Sequence, residues 1–91
     1  KGQLLAYHVG KCKDADTVTP QQISMVKRNN TWVARECAKL ARELHGANGI
    51  SGEYPIMRHL MNMESVYTYE GTFDMHTLIL GQDITGIPAF R

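Results

Sequence analysis

Apolar positions recur through the middle of the chain at Ile23, Val26, Val33, Cys37, Leu40 and Leu44, with polar Asn30 in the one remaining place, so the gaps alternate between three and four residues. At the pitch of an α-helix these positions fall within a wedge of roughly 100°, which predicts one long amphipathic helix. Its start is signalled by Thr19-Pro20-Gln21-Gln22, where Thr19 can cap, Pro20 suits the first turn and Gln22 completes a capping box. Its end falls near Gly46 or Gly49, both able to supply a left-handed cap. Before it, residues 3–12 read as the end of a helix, and Lys13 to Thr19 as a polar connector. After it, a third helix begins around Tyr54-Pro55 and carries Met57, Leu60 and Met61. The stretch from Glu64 to Gly71 is β-branched and aromatic without helical period, which predicts an extended connection. Thr72 then caps a last helix from Phe73 to Thr85, stopped by Gly86 and Pro88. The pattern is that of an all-α chain, an antiparallel helical bundle. The last helix is apolar on two opposing sides, Met75, Leu78 and Ile79 against Leu80 and Ile84, so it should be buried between neighbours. Four helices cannot easily cover both sides, and the chain should therefore meet other subunits or further parts of its own polypeptide.

Ninety-one residues suffice for one small domain. A formal net charge of +1 argues against a dedicated nucleic-acid surface. The longest apolar run is Leu4 to Tyr7, far short of the roughly 20 residues that cross a bilayer, so no membrane insertion is expected. Cys12 and Cys37 are too few for a disulfide framework and favour a reducing compartment. The chain opens on Lys1 without a signal-peptide pattern, and reads as a piece cut from a longer protein.

Candidate chemistry concentrates in Tyr67-Thr68-Tyr69-Glu70-Gly71-Thr72, which sets a carboxylate beside aromatic rings just before a helix start. Apolar surroundings raise a carboxylate's pKa and a helix N-terminus lowers it, so Glu70 could be tuned as a general base. The plainer alternative is that Glu70 only interacts with the first helical turn. Gly71 lets another molecule approach the backbone closely. In Leu44 to Gly52 the glycines at 46, 49 and 52 follow a helix, unlike a dinucleotide fingerprint. Such a turn can hold a phosphate, yet a simple helix stop explains it as well. Arg28, Arg35, Lys39 and Arg42 share the face opposite the apolar wedge, which reads as a solvated face diluted by Glu36 and Glu43. His8 and Cys12 stand one turn apart without a second ligand pair, so no metal site is expected.

The order of these pieces resembles the carboxyl-terminal end of the acyl-CoA dehydrogenase family, most closely its glutaryl-CoA-oxidising branch. The resemblance covers essentially the whole chain and is carried by Tyr69-Glu70-Gly71-Thr72 and the Gly46-Ala47-Asn48-Gly49 turn, with Lys27-Arg28-Asn29-Asn30, Asn48-Gly49-Ile50-Ser51, Phe73-Asp74-Met75-His76 and Ile84-Thr85-Gly86-Ile87 pointing to the branch. It implies a flavoenzyme with FAD as cofactor. Glu70 would remove the α-proton of an acyl-CoA thioester, glutaryl-CoA in this branch, while the β-hydride passes to flavin N5. Its backbone N–H would bind the thioester oxygen, and Gly71 would leave room for the acyl chain. Glu43, Leu44, His45, Gly46 and Ala47 match the turn that contacts the FAD of a neighbouring subunit, and Thr72 and Phe90 match further FAD-contacting positions. The resemblance further implies a homotetramer, an electron-transferring flavoprotein as acceptor, and a cytoplasmic or mitochondrial-matrix location in bacteria or eukaryotes respectively. N-terminal helical and middle β domains would precede this one. Two departures stand out: many members have a second glycine where this chain has Ala47, and Gln where it has Glu43. Rival readings are a short-chain acyl-CoA dehydrogenase or oxidase without decarboxylation, and a helical assembly module without flavin.

Overall fold

The alternating apolar series forms the axis of the molecule, helix α2 (Pro20–Leu44), in a computed structural model that describes residues 1–90. Helix α1 (Gly2–Asp14) precedes it; a 3-10 turn (Gly46–Ile50), α3 (Ile56–Thr68) and α4 (Phe73–Thr85) follow, and no strand occurs among the described residues. The capping box forms as the sequence predicts: Gln22 N–H donates to Thr19 Oγ1 at 3.2 Å, and Thr19 N–H donates to Gln22 Oε1 at 2.9 Å. Such a cap contributes about 0.5–2 kcal/mol. Asn30, the polar member of the stripe, donates from Nδ2 to Gly2 O at 3.0 Å and ties the start of α1 to the middle of α2.

Helices α3 and α4 both pack against α2. Arg35 Nε donates to Glu64 Oε1 at 2.5 Å, and its guanidinium lies 4.9 Å from the Tyr67 ring centre. Two turns earlier, Arg28 stacks 4.3 Å from the Phe73 ring and donates to Thr77 Oγ1 at 2.7 Å. Tyr67 and Phe73 stack on each other at 5.2 Å, which joins α3 to α4 across their junction. The Glu64 hydrogen bond, more than its Coulombic attraction, holds the Arg35 guanidinium above its ordinary pKa.

Two expectations are corrected here. The basic face of α2 is not simply solvated: Arg28 and Arg35 are half-buried against the α3–α4 aromatics, while Ile23, Leu40 and Leu44 of the apolar wedge are 51%, 59% and 88% exposed. Planar guanidinium groups pack on ring faces and lay their methylene stems along apolar surface, so a cationic stripe can serve as a packing surface. The segment from Glu64 is not an extended connection either, because α3 continues to Thr68. The helix penalty of β-branched and aromatic residues is only a few tenths of a kcal/mol each. It is offset here because a helix brings Glu64 and Tyr67, three residues apart, onto the same Arg35. Extended backbone starts at Tyr69, with ψ 164°.

Among the described residues no apolar side chain is fully buried. The chain exposes 6714 Å², against about 5,300 Å² for a compact protein of this mass. Its radius of gyration is 16.0 Å, against about 12 Å for a compact chain of this length. The surplus includes Leu78 at 38% and Ile84 at 83% exposed, on the two sides of α4 that the sequence marks as needing neighbours. The 91-residue chain alone should therefore bind an apolar dye strongly and self-associate. A monomer that unfolds in one sharp thermal transition would contradict this.

Candidate active site

Glu70 sits at the junction of α3 and α4 with φ +54°, one of two non-glycine residues with positive φ among those described. An L-residue held there costs about 1–2 kcal/mol, and strain of this kind gathers at functional sites. Its carboxylate is exposed and makes no ion pair among the described residues. The backbone around it is held by Lys27 of α2, whose ammonium donates to Tyr69 O and, at 2.6 Å, to Gly71 O. The same ammonium lies 5.5 Å from the Tyr69 ring centre. Thr72 Oγ1 accepts from Met75 N–H at 3.1 Å and starts α4 as the sequence predicts.

Gly71 has φ +92°, and a Cβ there would lie 2.9 Å from His76 Nε2 and 3.1 Å from its Cε1. The glycine thus has an internal cause: the imidazole packs against it from within the chain. His76 is 8% exposed, and neither ring nitrogen has a hydrogen-bond partner among the described residues. Sequence reasoning assigned no role to Lys27 or His76. Both lie in motifs that carry the resemblance, but only folding brings Lys27 across 42 to 44 residues to the carbonyls of Tyr69 and Gly71, and His76 across five to Gly71.

The second candidate region lies at the far end of α3. Glu43 and Leu44 finish α2, His45 caps it with Nδ1 2.7 Å from Ala41 O, and Gly46 and Ala47 open the 3-10 turn. All five are exposed, Gly46 has φ +55°, and no atom stands within 4 Å of where its Cβ would be. Gly49 does not supply a left-handed cap; it is buried, and a Cβ there would fall 2.2 Å from Arg42 O. Because that contact is with backbone, Gly49→Ala should push the turn off α2 and lower stability by about 1–3 kcal/mol, measured by thermal unfolding of the whole protein. An unchanged melting temperature would refute this.

The turn is open and exposed, and successive turn amides can hold a phosphate, although it follows the C-terminal end of α2, which carries the negative end of the helix dipole. The 13 residues of α3 separate it from Glu70, about 20 Å at helical rise. The structure therefore brings Glu70, Gly71 and Thr72 together and leaves Glu43 to Ala47 apart. Phe90 lies beyond α4 and is 56% exposed. His8 Nε2 is 3.6 Å from Cys12 Sγ, and no group of three metal-binding side chains occurs among the described residues.

Residues 1–85 match the family model for the acyl-CoA dehydrogenase C-terminal domain. Among solved structures, a glutaryl-CoA dehydrogenase from Mycobacterium smegmatis superposes with a TM-score of 0.93 at 58% identity, over 97% of this chain and 23% of that one. A glutaryl-CoA dehydrogenase from the same organism in complex with FADH2 gives 0.92 at 51%, with the same coverage. The glutaryl-CoA dehydrogenase of Desulfococcus multivorans is 29% identical over 86 residues, 93% of this chain and 22% of that protein. The acryloyl-CoA reductase (NADH) of Anaerotignum propionicum is 28% identical over 72 residues, 79% of this chain and 18% of that protein. The chain thus spans about a fifth of the length of these relatives, and its helices, its Tyr69-Glu70-Gly71-Thr72 junction and its match over residues 1–85 make it a member of the acyl-CoA dehydrogenase family, in the C-terminal helical domain.

Proposed function

We propose that the chain is the C-terminal domain of an FAD-dependent glutaryl-CoA dehydrogenase, in which Glu70 is the base. The observation that carries this reading is the Glu70 junction: a free carboxylate on a left-handed backbone, next to a glycine that cannot take a side chain. Glu70 takes the proton from the carbon next to the thioester, and charge then builds on the thioester oxygen. The Glu70 N–H has no acceptor among the described residues and can donate to that oxygen as the charge develops. Bound FAD would supply the acceptor for the hydride that leaves the β-carbon. The oxidised acyl chain then loses its distal carboxyl as carbon dioxide, and Glu70 returns its proton to give crotonyl-CoA.

Glu43 to Ala47 would hold FAD of a neighbouring subunit through backbone groups, and Thr72 and Phe90 would contact FAD near the base. The roughly 20 Å between turn and base supports a cofactor site shared between subunits, and the uncovered apolar sides of α4 support assembly, here a homotetramer. An electron-transferring flavoprotein would reoxidise the cofactor. N-terminal helical and middle β domains complete the protein in this reading.

The test is product analysis on the full-length enzyme: carbon dioxide and crotonyl-CoA from glutaryl-CoA are expected. Oxidation of butyryl-CoA with no decarboxylation of glutaryl-CoA would assign it to the short-chain branch. The 91-residue chain alone should show no turnover, because a base without a hydride acceptor cannot complete the reaction; dehydrogenation by it would overturn that expectation.

A further inference from the structure

We propose that Lys27 is the positioning residue of the Glu70 site, gathering the two carbonyls that flank Glu70 and thereby turning the Glu70 N–H toward the substrate side. This rests on the reading of Glu70 as the base. The carbonyls of residues 69 and 71 belong to alternate peptide planes, and in an extended strand they would stand about 6.6 Å apart, too far for one ammonium to take both. Here both accept from the Lys27 ammonium, and the residue between them has φ +54°. The two hydrogen bonds thus stabilise a conformation that is otherwise unfavourable for a glutamate.

A trans peptide is planar, with its C=O and N–H pointing in opposite directions. Anchoring Tyr69 O on Lys27 therefore aims the Glu70 N–H away from α2, and anchoring Gly71 O does the same for the Thr72 N–H. The Glu70 N–H is left without an acceptor among the described residues, as an oxyanion donor requires. Lys27 spends its donors on these carbonyls and forms no ion pair with the Glu70 carboxylate. The base is thus held by its backbone, and its carboxylate stays free to take a proton. His76 packs against Gly71 and leaves no room for a side chain there. Lys27 touches neither substrate nor reacting atoms in this arrangement; it acts through the turn.

The test compares Lys27→Met and Lys27→Arg in the full-length FAD-loaded enzyme with glutaryl-CoA. Loss of the anchor should lower kcat about 100-fold, the effect of displacing a catalytic group by about 1 Å. KM and flavin content should stay near wild type, and Lys27→Arg, which keeps donors for both carbonyls, should recover most of kcat. Amide hydrogen exchange at Met75 and His76, whose N–H groups are held by Thr72 at the end of the turn, should quicken in Lys27→Met while the α2 amides keep their protection. Unchanged kcat in Lys27→Met overturns the proposal, as does faster exchange throughout α2 or an arginine variant no better than methionine. If wild type turns over no acyl-CoA, the assignment of the base falls, and the exchange at Met75 and His76 still decides whether Lys27 holds the turn.

Discussion

Glu70→Gln in the complete enzyme should reduce α-proton exchange and turnover by about 10²–10⁴-fold, the contribution of a positioned general base, while FAD content stays at the wild-type level. Glutamine matches glutamate in shape but cannot accept a proton from carbon. The backbone conditions survive the exchange: Lys27 bonds to the carbonyls of Tyr69 and Gly71, and the positive φ is unaffected by the change of an oxygen to an amide nitrogen. The carboxylate has no ion pair among the described residues, so its loss unpairs no buried charge and should not unfold the protein. Exchange of the α-proton with solvent deuterium reads the base step directly and does not depend on reoxidation of the cofactor. Near-normal exchange in this variant would remove Glu70 from the chemistry.

Gly71→Ala should lower kcat about 100-fold with a fully folded enzyme. Two effects combine at this position. A φ of +92° is one that L-residues rarely adopt, and the new methyl would lie 2.9 Å from His76 Nε2. The imidazole is buried whereas Glu70 beside the glycine is exposed, so the junction backbone should give way to the contact. The shift passes through the Glu70 α-carbon to the side chain of the base and to the preceding peptide, which carries the Glu70 N–H, so the displacement reaches the reacting atoms. Adding His76→Ala to Gly71→Ala separates the causes: recovery of activity means contact dominates, and no recovery means backbone strain dominates. Gly81→Ala is the control, since nothing stands within 4 Å of its Cβ position. There the substitution should be neutral or stabilise α4 by about 0.5–1 kcal/mol. An active Gly71→Ala enzyme would show that the junction has slack that the contact with His76 does not suggest.

The elements legible in the sequence are those whose causes lie within a few residues of one another. The Thr19–Gln22 box, the Thr72 cap, the left-handed Gly86 after α4 and the stripe of α2 all depend on hydrogen bonds or side-chain contacts spanning three or four positions. Local chemistry decides them, and folding leaves them unchanged. Tyr69-Glu70-Gly71-Thr72 stood out as a candidate for the same reason, since an acidic residue, a glycine and a cap stand side by side in the chain, while a catalytic role for Glu70 was implied only by the resemblance.

Three features depended on distant partners. Residues 64–68 look unfavourable for a helix until Arg35, 29 residues away from Glu64, supplies a hydrogen bond and a cation for the Tyr67 ring. The basic face of α2 looks solvated until Tyr67 and Phe73 cover it. Lys27 and His76 look unremarkable until the fold sets Lys27 on the carbonyls of Tyr69 and Gly71 and His76 against Gly71. Periodicity along a helix marks which residues share a face, but that face is buried only where other elements supply complementary surface. Here aromatic rings and backbone carbonyls supplied it to the cations, and much of the apolar stripe stayed open.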